Sequence, residues 1–144
     1  MSKTPPDLLG TLETALYADD LEAATVFWRD VIGLHPFQSV PGRHVFFRVT
    51  DTPRPQVLLV FRPDATEQPP STDARFPVPP HGTRGPGHVC LAAEGDMLDA
   101  WRTHLLAHGI GIEADFHWPN GARSIYFRDP AGNSIEIADP AIWR

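Results

Sequence analysis

The feature that most narrows the folds open to this chain is that it reads as one pattern written twice. Residues 11–18 read as a strand, and Asp19 or Asp20 can cap a helix over 21–32, because a carboxylate accepts from first-turn N–H groups. Leu21, Ala24, Phe27, Trp28 and Val31 form its apolar stripe, and Gly33 ends it. Strands follow at 34–40, 43–50 and 56–61, with Pro41-Gly42 and Asp51-Thr52-Pro53 as turns. After a Pro-rich stretch the order returns. A strand at 88–93 leads to a helix capped by Asp96, striped by Leu98, Trp101 and Leu105, and ended by Gly109. Strands at 112–117, 123–128 and 134–138 complete the second copy.

The two copies superpose residue by residue. Asp20 and Gly33 have the same spacing as Asp96 and Gly109, and Arg43-His44-Val45-Phe46-Phe47-Arg48 falls on Arg123-Ser124-Ile125-Tyr126-Phe127-Arg128. The expected fold is α+β: two βαβββ modules forming a curved mixed sheet around a concave metal site. One domain over 1–144 is expected, with module one at about 8–62, a Pro-rich linker at about 63–85 and module two at about 86–140.

Composition closes several functional classes. A net charge of −6 lacks the basic face that phosphate backbones require, so no nucleic-acid partner is expected. No apolar run reaches the ~20 residues that span a bilayer, so no membrane partner is expected. The start, Met1-Ser2-Lys3-Thr4-Pro5-Pro6, lacks the apolar stretch of a secretory signal. With the single cysteine, Cys90, this points to the cytoplasm.

Strand alternation picks out the chemistry. Glu13 lies opposite Thr14 and Leu16, His88 opposite Val89 and Leu91, and Glu136 between apolar Ile135 and Ile137. Helices should cover the apolar faces, leaving Glu13, His88 and Glu136 in the concavity. Glu13 and His88 are repeat mates, as are Leu59 and Glu136. Packing about a local two-fold axis would make these positions converge. Two buried carboxylates repel, and a divalent cation removes that cost. One imidazole with two carboxylates suits Fe, Mn, Zn, Ni or Co. Three protein ligands leave open positions for substrate oxygens.

The stretch Leu12-Glu13-Thr14-Ala15-Leu16-Tyr17-Ala18-Asp19-Asp20-Leu21 resembles the opening of the vicinal oxygen chelate superfamily. Gly85-Pro86-Gly87-His88-Val89 and Tyr126-Phe127-Arg128-Asp129-Pro130-Ala131-Gly132-Asn133-Ser134-Ile135-Glu136 resemble its second-half signatures. That superfamily includes glyoxalase I, extradiol dioxygenases, fosfomycin-resistance enzymes, methylmalonyl-CoA epimerase and bleomycin-binding proteins. The resemblance implies His88 and Glu136 as metal ligands, with Glu13 where many members have histidine. Leu59 stands where glyoxalase I supplies a further glutamate. Tyr126 resembles the active-site tyrosine of extradiol dioxygenases.

Two functions from different classes follow. One is a metal-dependent enzyme, a lyase, isomerase or dioxygenase, that chelates two oxygens of a small substrate. Glu136, Tyr126 and the loop residue His81 are its candidate catalytic groups. The other is a binding or resistance protein of the bleomycin-binding type, holding a ligand between aromatic walls without chemistry. Phe46, Phe47, Phe61, Phe76 and Trp118 could supply those walls. Arg123 could reach an anionic substrate or serve a surface role. A homodimer is expected, with module pairing within or between chains left open.

Overall fold

The computed structural model describes residues 4–144; of the start discussed above, Met1 to Lys3 lie outside the described residues. The first module runs β1 (Glu13–Tyr17), α1 (Leu21–Val26), β2 (His35–Val40), β3 (His44–Thr50) and β4 (Gln56–Phe61). A single-turn helix, α2 (Pro63–Thr66), opens the Pro-rich connection. The second module runs β5 (His88–Ala92), α3 (Leu98–Ala107), β6 (Ala114–His117), β7 (Arg123–Arg128) and β8 (Ser134–Ala138), and a 3₁₀ turn at Pro140–Trp143 follows it.

Each module is one four-stranded sheet, ordered β1-β4-β3-β2 in the first and β5-β8-β7-β6 in the second. The last three strands of each module form an antiparallel meander. The fourth strand then pairs in parallel with the first, across the helical crossover that a parallel pair requires. The expected α+β fold of two βαβββ modules is the one observed, its mixed strands divided into two four-stranded sheets that hydrogen bonding does not merge.

The helices depart from the sequence pattern in two ways. Asp20 caps α1, its Oδ1 accepting from the Ala23 N–H at 3.0 Å. After one and a half turns α1 widens into a π segment, Phe27–Val31, in which the Ile32 N–H reaches the Phe27 carbonyl. The adjacent Phe27 and Trp28 of this segment are both buried. In the second module Asp96 does not cap α3; it sits in a 3₁₀ turn, Gly95–Met97, ahead of the helix.

One apolar cluster serves both modules: Leu16, Phe27, Trp28, Phe47, Leu58 and Val60 meet Leu98, Leu105, Ile125, Phe127, Ile135 and Ile137. Phe27 from the first helix stands 6.3 Å, centroid to centroid, from Phe127 on β7. The opposite faces of β1 and β5, edge strands of the two sheets, are left open. Glu13 and Ala15 on β1, and His88, Cys90 and Ala92 on β5, are all exposed. Among the described residues, no helix is long and apolar enough to cross a membrane.

Candidate metal centre

The sheet register supports the superposition read from the sequence. Ala15 pairs with Leu59, and Cys90 pairs with Glu136. Glu13 and His88 each lie two residues ahead of those pairs, on the same strand face. His88 and Glu136 are therefore diagonal neighbours, and their side chains meet: His88 Nε2 is 3.3 Å from Glu136 Oε1.

The other atom of each group is already committed. His88 Nδ1 lies 2.9 Å from the Ser134 carbonyl oxygen. A carbonyl only accepts, so Nδ1 carries the proton and donates. Ser124 Oγ donates to Glu136 Oε2 at 2.6 Å. That leaves an imidazole nitrogen and a carboxylate oxygen facing each other, both electron-rich. A cation placed between them would meet a lone pair from each. Fixing Nδ1–H on a backbone carbonyl, so that the Nε2 lone pair points outward, is how a metal-binding histidine is held. The donor set therefore fits a divalent ion. Glu136 is 5% exposed, whereas His88 is open to solvent, so the pair is reachable from one side only.

Tyr126 belongs to the same patch. It pairs with Glu136 across β7 and β8, and its ring stacks at 6.2 Å on His88 and at 5.8 Å on Phe116. Burial, followed by the adjacent Glu136, pushes its phenol above the usual range. It is a hydrogen-bond donor at neutral pH. Cys90 shares the face, and loss of solvent around the sulfur, then Glu136, pushes its thiol up to about 12. It remains a neutral thiol, not a nucleophile.

Glu13 does not join this pair within one chain. Among the described residues, no three His, Cys, Asp or Glu side chains converge on a point an ion could fill. Glu13 lines a crevice of about 70 Å³ together with Val57 on β4 and Val89 and Cys90 on β5. Leu59, the repeat mate of Glu136, is buried and apolar.

His81 is also placed with the first module. Its Nδ1 is 2.6 Å from the Tyr17 hydroxyl, its backbone N–H donates to the Thr66 carbonyl, and its ring meets the edge of Phe61 at 4.7 Å. These residues continue an aromatic wall through His44, which stacks on Phe46 at 4.0 Å. Both His44 ring nitrogens are buried without a partner, and loss of solvent lowers its pKa. Phe46 and Phe61 thus lie where the sequence suggested a wall, but Phe47 is in the core and Phe76 is solvent-exposed. Arg123 is held by Asp115 and Asp99, so its guanidinium is engaged within the protein. His104 is half-buried and donates from Nε2 to the Val31 carbonyl at 2.7 Å, bridging the two helices.

Sequence reasoning missed Ser124. A small hydroxyl within an apolar strand carries no pattern of its own. Its one signal was its place twelve residues before Glu136, on the same face as Tyr126.

Residues 10–137 match the Glyoxalase/Bleomycin resistance protein/Dioxygenase superfamily. No curated protein matches the chain significantly. Among solved structures, the lactoylglutathione lyase of Agrobacterium tumefaciens is 43% identical, with a TM-score of 0.86 over 97% of this chain and 98% of its own. A glyoxalase/dioxygenase from Nostoc punctiforme is 25% identical, with a TM-score of 0.66 over 97% of both chains. A superfamily member from Sphaerobacter thermophilus is 17% identical, covers 92% of this chain and 98% of its own, and shares the fold at a TM-score of 0.65.

Proposed function

Since the chain belongs to the Glyoxalase/Bleomycin resistance protein/Dioxygenase superfamily, we propose that it is a glyoxalase-like metal enzyme acting on a small oxygen-bearing substrate. The observation that carries this reading is the facing of His88 Nε2 and Glu136 Oε1, with Nδ1 and Oε2 both satisfied elsewhere. Bound there, a divalent ion would stabilise negative charge developing on two oxygens of the substrate. His88 and Glu136 hold it from one chain. Glu13 is the third ligand, supplied by a second copy of the chain in a homodimer. The exposed strand faces at Glu13, Ala15, Cys90 and Ala92 are what such a partner would cover.

The chain's own residues divide the remaining work. Tyr126, protonated at neutral pH, donates a hydrogen bond to a substrate oxygen. Glu136 is rigidly held and serves as ligand, whereas the exposed Glu13 is freer to accept a proton from substrate carbon or oxygen. The aromatic wall of Tyr17, His44, Phe46 and Phe61, with His81 packed on Phe61, shares the sheet face of Glu13, so the second copy that brings Glu13 would bring this apolar wall as well. His81, pinned to Tyr17, is the second proton-transfer group on that side. The identity to a lactoylglutathione lyase directs the first assay to lyase and isomerase chemistry, ahead of the dioxygenase branch.

Metal content of untagged protein tests the reading. About one equivalent of Fe, Mn, Co, Ni or Zn per chain is expected in the wild type, falling to trace in His88→Ala. Absence of stoichiometric metal, with small-ligand binding that survives a chelator, would instead establish a sequestering protein.

A further inference from the structure

The Glu136 carboxylate is oriented by two residues in series. The Trp118 indole Nε1–H donates to Ser124 Oγ at 2.8 Å, and Ser124 Oγ donates to Glu136 Oε2 at 2.6 Å. Because the indole can only donate, it occupies a Ser124 lone pair and directs the serine proton toward Glu136. Ser124 is fully buried, so water does not compete for either bond.

Trp118 is itself clamped. Its N–H donates to the Ala122 carbonyl, and its carbonyl accepts from the Gly121 N–H, both at 2.8 Å. Gly121 has φ 88°, a left-handed conformation that suits glycine and closes the Trp-Pro-Asn-Gly turn. Asn120 ties the turn down twice, accepting from the Ala122 N–H and donating to the Ala141 carbonyl. Phe116 packs edge-on against the indole at 4.9 Å. A rigid turn thus holds one end of a relay whose other end is the metal-facing carboxylate.

We propose that Ser124 and Trp118 are positioning residues that commit Glu136 Oε2 to the protein and leave Oε1 as the single metal-binding oxygen. The proposal rests on the metal reading above, and it assigns function to a turn that otherwise reads as a surface connection. Without the relay, Glu136 would rotate and offer its oxygens in several geometries.

Co²⁺ affinity by calorimetry, with the visible absorption spectrum of the bound ion, tests this without any substrate. Ser124→Ala is expected to weaken Co²⁺ binding about 10- to 100-fold, as loss of a residue orienting a ligand does, and to change the absorption bands. Trp118→Phe keeps the ring against Phe116 and is expected to weaken binding by less, about 3- to 10-fold. Because Trp118 acts through Ser124, adding Trp118→Phe to Ser124→Ala should cause no further loss. A role in packing alone would add. Folded Ser124→Ala, or folded Trp118→Phe should the serine variant not fold, with wild-type affinity and spectrum overturns the relay and leaves the metal reading standing. A wild type that binds no Co²⁺ overturns both.

Discussion

The side chain of Asn133 donates through Nδ2 to the Tyr17 carbonyl oxygen at 3.2 Å, tying the last turn of the second module to the first strand of the chain. Its Oδ1 accepts from the Gly87 N–H at 2.8 Å, and Nδ2 also meets Asp129. One buried amide thus joins β1, the start of β5 and the turn before β8. Asn133→Ala strands three partners, and unmade buried hydrogen bonds cost about 1–3 kcal/mol each before relaxation. A net loss of about 3 kcal/mol is expected in urea denaturation. Asn133→Asp keeps the acceptor but not the donor, and should also destabilise.

The shared apolar cluster predicts that the two modules unfold together. Phe127→Ala, at the contact with Phe27, should cost about 3–5 kcal/mol. The transition should remain single when followed by both tryptophan fluorescence and far-ultraviolet circular dichroism. Two separated transitions would show that the modules are independent.

Asp115 sets a pH dependence. The Arg123 guanidinium bonded to it, aided by Arg102, holds its carboxyl below the usual range. The folded state therefore favours the ionised form. That contribution is complete above the unfolded value of about 3.9 and is lost as pH falls through the folded value. Asp115→Asn should cost about 2 kcal/mol at pH 7, and its gap from wild type should narrow below about pH 4. Equal gaps at pH 3 and pH 7 would contradict this assignment.

Local signals made most of the fold legible. The Asp20 cap, the glycines at 33 and 109 and strand alternation are short-range effects, and each fell where the structure has it. The π segment was not legible, because Leu21, Ala24, Phe27, Trp28 and Val31 keep a regular helical spacing that carries no sign of it. The Asp96 cap did not form, the chain taking a 3₁₀ turn before α3. Of the site, His88 and Glu136 were readable because their strands alternate cleanly, and the structure brings them together. The structure places Glu13 apart from them within one chain, a matter of module packing that strand periodicity does not encode. The Ser124–Trp118 relay depends on the conformation of a turn, which lies beyond any periodic pattern.

Subunit mixing tests the shared metal centre most directly. Glu13→Ala and Glu136→Gln each disable every site in their own homodimers, so neither should hold stoichiometric metal. If Glu13 of one copy completes the His88–Glu136 pair of the other, a mixed dimer carries one doubly damaged site and one intact site. Refolding the two variants together and isolating the mixed dimer should therefore restore one metal ion per dimer. A mixed dimer as empty as its parents, or a Glu13→Ala homodimer that holds metal as tightly as wild type, would contradict the account.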